Sequence, residues 1–200
     1  MKSLSFESIF ENERLVKNFR DAILANRVSH AYIIKGAAGT GKRLAASIFA
    51  KALQCQEKES APCQNCPSCR AFESGNHPDI FYVYPEKTKA LGINDIREQV
   101  IKNVNIKQYR FRYKVFIIPN ADKMTIEAQN AFLKTLEEPP SYAVFLLLAE
   151  NTQGFLPTVL SRCVMLRTKE VSEGTIEKYL VQKENLDYNR AKFIAEYAKG

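Results

Sequence analysis

No stretch of about 18 uncharged apolar residues occurs in this sequence, and its opening MKSLSFESIFENER lacks the apolar core of a secretory signal. A helical membrane span and an exported chain are therefore not expected, and the sequence places the protein in the cytoplasm. Histidine is scarce as well, with two in all. His30 leads into an apolar run and His77 sits in a Gly-Asn-His-Pro turn. Neither has a serine, cysteine or acid beside it in a catalytic pattern, so both read as structural. Internal repeats and low-complexity tracts are absent too. What remains is a globular chain of 200 residues, 46% hydrophobic and 26% charged, enough for one substantial core and part of a second.

A net charge of +7 suits an acidic partner such as nucleic acid, and equally a solvated lysine-rich surface. The densest basic stretch, Lys102, Lys107, Arg110, Arg112 and Lys114, is interleaved with Tyr109, Phe111 and Tyr113. It reads as the lead-in to a buried strand rather than a phosphate-binding groove, because its aromatics adjoin a strand signal.

Strand signals recur at residues 30–35 (HAYIIK), 79–84 (DIFYVY), 114–118 (KVFII), 142–148 and 163–166. Between them lie helical patterns. An alanine-rich run fills 42–53, a periodic run reaches about Val104 with Asn94 as its N-cap, and a short element covers 157–161. A further helix begins at Asp122, with Ala128, Phe132 and Leu136 on one face, and is stopped by Pro139 and Pro140. Alternating strands and helices predict an α/β fold, a parallel sheet covered by helices on both faces. After Thr168 the strand signals stop, and two amphipathic helices at about 172–183 and 187–199 open a small helical unit. Two helices make a poor core by themselves, so the sequence reads as part of a longer chain.

Gly36-Ala37-Ala38-Gly39-Thr40-Gly41-Lys42-Arg43 follows a strand and opens a helix, the setting in which a G-x-x-x-x-G-K-[ST] loop cradles phosphates with backbone amides. The match is incomplete. A working loop has Ser or Thr after the lysine to hold Mg²⁺, and here Arg43 stands there. The acidic pair expected at the end of a later buried strand is replaced by Pro119 and Asn120, with Asp122 beyond them as a helix cap. Mg²⁺-dependent hydrolysis is therefore not expected, whereas Gly36, Gly39, Thr40, Gly41 and Lys42 leave ATP binding without turnover open.

Cys55, Cys63, Cys66 and Cys69 form C-x7-C-x2-C-x2-C directly after the phosphate-loop helix. In a cytosolic chain this spacing reads as tetrahedral zinc rather than disulfides, and four thiolates leave the ion no open position, so the zinc is structural.

Four motifs together carry a resemblance: HAYIIKGAAGTGKR, CQNCPSC followed by GNHPDI, AQNAFLKTLEEPP, and LPTVLSRC. Across its whole length the chain resembles the delta-prime subunits of bacterial DNA polymerase III clamp loaders, AAA+ proteins related to the gamma/tau subunits. Gamma/tau subunits keep the Ser/Thr and the acidic pair, so Arg43, Pro119 and Asn120 favour the delta-prime kind. The resemblance implies an AAA+ P-loop domain at 1–167 with a zinc module inserted at about 55–72. A partial helical lid follows at 168–200, and a C-terminal oligomerisation domain lies beyond. It implies a non-hydrolysing stator subunit of the replicase, partnered by delta and gamma/tau and indirectly by the sliding clamp and primer-template DNA. It also implies that Arg162 in Ser161-Arg162-Cys163 reaches ATP bound by a neighbouring subunit. From residue type alone Arg162 reads as a surface ion-pair partner, Cys163 as a small buried hydrophobe, and Glu137 and Glu138 as carboxylates holding a helix end near Lys134. Two other functions compete: an active P-loop ATPase of the gamma/tau type, favoured by Lys42, and a zinc-dependent DNA-binding module, favoured by the positive charge.

Overall fold

A computed structural model describes residues 4–86 and 90–198. Five strands, β1 (Ala31–Lys35), β2 (Ile80–Tyr82), β3 (Lys114–Ile118), β4 (Ala143–Ala149) and β5 (Val164–Arg167), form one parallel sheet in the order β2-β3-β4-β1-β5. Period-two alternation sends successive side chains to opposite faces. Ile33, Phe116, Ile118, Phe145 and Leu147 enter one core, while Tyr32, Ile34, Val115, Ile117 and Leu146 enter the other. All seven residues of β4 are buried, as a central strand covered on both sides requires.

The second core is closed by α1 (Glu13–Leu24) and α2 (Lys42–Leu53), where Phe19 stacks on Phe49 with ring centroids 4.0 Å apart. The first is closed by α4 (Ile93–Ile96), which continues through a π-helical stretch (Arg97–Ile101) into α5 (Lys102–Val104), and by α6 (Ile126–Glu137). Between α2 and β2 lies α3 (Pro67–Glu73); α7 (Pro157–Leu160) precedes β5, and α8 (Glu173–Glu184) and α9 (Tyr188–Tyr197) pair after it. Among the described residues no helix is long and apolar enough to cross a membrane.

The expected fold class is observed, with local corrections. The N-cap before the 93–104 helix is Gly92, whose N–H donates to Asp95 Oδ2 at 2.9 Å; Asn94 lies inside the first turn. Asp122 does not cap the following helix. It belongs to a 3₁₀ turn (Ala121–Lys123), and Thr125 caps α6, its hydroxyl accepting the Ala128 N–H at 3.2 Å. Two helices went unread from sequence, α1 with Leu15, Phe19 and Ile23 at four-residue spacing, and α3 within the cysteine segment. The basic segment before β3 is a lead-in as expected. Lys114 is buried, its ammonium donating to the Asn103 and Ile106 carbonyls at 2.8 and 3.0 Å, while the buried Asp79 carboxylate accepts the N–H groups of Tyr109, Arg110 and Phe111.

Candidate functional site

The phosphate loop leaves the carboxyl end of β1 and turns into α2. Gly39 and Gly41 adopt φ values of 85° and 71°, which side chains with a Cβ rarely adopt, and Gly41 is the N-cap of α2. A Cβ on Gly36 would lie 2.0 Å from Thr168 Oγ1, so only glycine lets the loop pass that residue. Thr40 is buried and its hydroxyl pairs with that of Thr168 at 2.8 Å, tying the loop to the chain just after β5. Lys42 turns back over the loop, donating to the Gly36 and Ala37 carbonyls at 2.7 and 2.5 Å. Burial lowers its pKa, and the charges of Glu150 and Asp122 oppose that shift. Above the loop opens a cavity of about 590 Å³, walled by the loop, by residues 4–12 and by α8 through Ile176 and Tyr179.

Arg43, Pro119 and Asn120 stand where the loop pattern looks for a hydroxyl and an acidic pair. The Arg43 guanidinium points along the β2 edge, stacked over Tyr82 and Tyr84 at 5.4 and 5.7 Å from the ring centroids, and has no oxygen to give a cation. At the end of β3 stand Pro119 and Asn120, the latter at φ 50°. Two acids reach the neighbourhood, Glu150 just after β4 and Asp122. The turn of Asp122 carries it to the end of β4, where Oδ2 accepts the Glu150 N–H at 3.2 Å and its charge acts on Lys42. Local sequence reads Asp122 as a helix cap and gives no sign of this placement.

Ser161, Arg162 and Cys163 connect α7 to β5. Arg162 Nη2 pairs with Glu137 Oε1 at 2.7 Å, and Nη1 donates to the Thr158 carbonyl at 2.8 Å and to Ser161 Oγ at 3.2 Å. Among the described residues none of these bonds goes to the chain's own phosphate loop. Glu137 thus holds Arg162, correcting the expectation that it serves the helix end near Lys134. Cys163 packs against the core, and burial pushes its thiol up to about 12. Sequence reasoning also missed Gln129. Buried on α6, its side chain donates to the Met124 and Gly154 carbonyls and accepts the Leu156 N–H at 2.8 Å, fixing the segment that delivers α7.

The four cysteines converge as their spacing foretold, with sulfur atoms all within 4.8 Å of one another. Zinc–sulfur bonds of about 2.3 Å in a tetrahedron put sulfurs roughly 3.8 Å apart, so the donor set fits that ion with small adjustment. Backbone amides already face the sulfurs: Cys63 N–H to Cys55 Sγ, Cys66 N–H to Cys63 Sγ and Cys69 N–H to Cys66 Sγ, at 3.3 to 3.5 Å. Burial opposes ionisation of Cys66, but the amides of Gln56 and Cys69 outweigh it and hold its thiol at about 7; burial pushes Cys55 and Cys69 up. A cation that favours thiolates offsets that cost.

His77 braces this module from behind. Its Nδ1 accepts the Asp79 N–H at 3.2 Å, which leaves the ring proton on Nε2, 3.1 Å from Ser68 Oγ, and the ring packs on Phe111 at 4.5 Å. Burial lowers its pKa to about 4, with the Asp79 charge opposing. Because the folded value lies below the unfolded one, the stabilisation is complete above about pH 6.5 and is lost as pH falls toward 4. Thermal unfolding at pH 7.5 and 5.0 is expected to show a drop of roughly 1–2 kcal/mol that shrinks in His77→Gln. An equal drop in the variant would assign the acid sensitivity to other groups.

A five-stranded parallel sheet with a phosphate loop at its carboxyl edge and a helical pair beside the loop places the chain in the AAA+ P-loop class. Solved structures agree on the fold. A DNA polymerase III gamma subunit-related protein of Thermotoga maritima superposes with a TM-score of 0.62 at 24% identity, over 92% of this chain and 56% of that one. The RuvB Holliday junction branch migration motor of the same organism gives 0.64 at 14%, over 96% and 58%. The family model described as DNA polymerase III, delta subunit, matches residues 11–172, and the chain belongs to that family. The clamp-loader likeness carried by its motifs is thereby borne out at family level. It is 36% identical over 173 residues to DNA polymerase III subunit delta' of Bacillus subtilis, covering 86% of this chain and 51% of that protein. To subunit tau/gamma of Haemophilus influenzae it is 34% identical over 177 residues, covering 88% and 25%. The chain therefore spans about half the length of the delta' relative and less of the tau/gamma one.

Proposed function

We propose that this chain is the AAA+ part of a non-hydrolysing clamp-loader subunit of the delta-prime kind, active in DNA replication as a stator. In this reading residues 1–167 form the P-loop domain and 168–200 begin the lid. Cys55, Cys63, Cys66 and Cys69 hold a structural zinc. Arg162 is supplied to ATP on a neighbouring gamma/tau subunit, with delta as the other partner and the sliding clamp and primer-template DNA reached through the assembly. The observation that carries the reading is the double loss at the phosphate loop: Arg43 stacked away on two tyrosines, and Pro119 and Asn120 where carboxylates would orient Mg²⁺. Without that metal the loop can still grip a phosphate through its amides and Lys42, but the developing charge in phosphoryl transfer goes unneutralised.

The second reading, an ATPase of the gamma/tau type, draws on the intact glycines and Lys42 and on Asp122, which stands close enough to act on that lysine. Mg²⁺-dependent ATP turnover separates the two. The purified protein alone is expected to show none above background, alongside an Arg43→Thr, Pro119→Asp, Asn120→Glu triple variant for comparison. Turnover by the wild-type chain would make it an enzyme.

A further inference from the structure

The segment from Leu4 to Asn12 is a strap gripped at both ends. At one end the Leu4 N–H donates to Glu73 Oε1 at 3.1 Å, and the Leu4 carbonyl accepts from Gln64 Nε2 at 3.0 Å and from Lys51 Nζ at 3.1 Å. Gln64 stands between Cys63 and Cys66, and Glu73 ends the helix whose first turn carries Cys69. Lys51, fully buried on α2, also bonds both the Gln64 and the Glu73 side chains and lies over the Phe72 ring. The strap is thus tied to the cysteine module at the two positions that the four thiols would locate.

At the other end the strap holds the helical pair. The Glu11 carboxylate accepts the Ser172 N–H at 2.8 Å and the Ser172 and Thr175 hydroxyls, an acid at the start of α8 where the helix dipole favours one. Phe10 meets Tyr179 of α8 edge to face at 5.5 Å, and Asn12 bonds both the N–H and the carbonyl of Lys169. In between, Leu4, Ser5, Ser8 and Ile9 line the cavity over the phosphate loop. One short segment therefore touches the cysteine module, the cleft wall and α8.

The module has a small apolar core of its own and leans on His77 and Lys51 outside it. Its own apolar cluster consists of Cys55, Cys66 and Cys69 with Ala61 and Cys63 against them, and residues 56–60 are exposed. A polar segment of this kind takes its order from the bound ion. Resting on the metal reading of the four cysteines, we infer that residues 4–12 couple the cysteine module to the cleft and to α8, so that metal binding orders the cleft wall and docks the helical pair. By linkage, whatever orders the cleft also retains the metal.

Hydrogen exchange read by mass spectrometry on the full-length protein tests this, comparing zinc-loaded with chelator-treated samples and counting the metal in each. Removing zinc is expected to speed exchange at the amides of residues 4–12 and in the first turn of α8 by about tenfold or more, the scale on which local opening is read. In Glu11→Ala, which removes the strap's hydrogen bonds to the start of α8, keeps Phe10 against Tyr179 and leaves the cysteines untouched, the strap still responds to zinc removal while the first turn of α8 responds less than in wild type. Unchanged strap and α8 exchange after proven metal loss overturns the coupling, and so does an α8 response in Glu11→Ala equal to that of wild type. A protein that takes up no zinc at all overturns the metal reading itself, and the metal count tells that failure from the others.

Discussion

Chelating the metal from the cysteine module, or replacing Cys66 with alanine, is expected to lower the melting temperature of the whole chain and not merely to loosen a surface loop. The reason is Lys51. Its ammonium is fully buried on the helix that follows the phosphate loop, and two of its partners, Gln64 and Glu73, belong to the module. If the module disorders, the Lys51 ammonium keeps the Leu4 carbonyl but loses its ion pair and the cover of Phe72, and breaking a buried pair costs up to about 3–5 kcal/mol. For a chain of this size roughly 2–4 °C accompany each kcal/mol, so a fall of up to about 20 °C follows. Bound zinc should fall below one equivalent in Cys66→Ala, because water must take the fourth position and the three remaining thiolates hold the ion less tightly. Calorimetry with metal analysis on the same samples checks both halves. Full zinc content in Cys66→Ala would remove the four-thiol site, and an unshifted melting temperature after proven zinc loss would show that Lys51 does not depend on the module.

How much of this was legible in the sequence follows from how local each signal is. The strands announce themselves because a buried parallel strand is a short run of β-branched and aromatic residues, and KVFII and AVFLLLA can scarcely be anything else. The phosphate loop and the cysteine cluster are legible because their chemistry is contiguous, with every participant within about fifteen residues. The errors arose where two readings of one local pattern compete. Both Asp122 and Thr125 are good helix caps, and only the left-handed backbone at Asn120 and the 3₁₀ turn after it give the role to Thr125 and free Asp122 to face Lys42. Contacts between distant segments were beyond reach. Nothing local in LEEPP says that Glu137 meets an arginine 25 residues later, or that Leu4 is held by a residue lodged between two cysteines. Such pairs come from how α6 lies over α7 and how the chain's start crosses the module, and tertiary packing decides both.

If the chain acts as the proposed stator, replacing Arg162 with alanine in the full-length protein is expected to abolish stimulation of ATP hydrolysis by its assembled partners while leaving its own fold intact. The fold is spared because the Arg162–Glu137 pair is half exposed, with side-chain exposures of 32% and 47%, and such pairs contribute only about 0–1 kcal/mol. The functional loss is large for a different reason. A guanidinium brought to a transferring phosphoryl group neutralises charge that develops only in the transition state, and arginines supplied in trans are typically worth about 10³ to 10⁵ in rate at the site they complete. Arg162→Lys should recover little, since an ammonium lacks the planar fork that engages two oxygens at once. Glu137→Gln sharpens the test. In the free chain Nη1 donates to the Thr158 carbonyl and Ser161 Oγ and Nη2 donates to Glu137, whose carboxylate competes with a phosphate for the guanidinium charge. Neutralising Glu137 therefore leaves the rate at saturating subunit unchanged and, if anything, lowers the amount of subunit needed to reach it. The measurement is steady-state ATPase of the reconstituted loader titrated with wild-type, Arg162→Ala, Arg162→Lys and Glu137→Gln proteins. A full rate with Arg162→Ala would reduce Arg162 to a surface ion-pair partner and leave the stator reading without its contact to the neighbouring ATP.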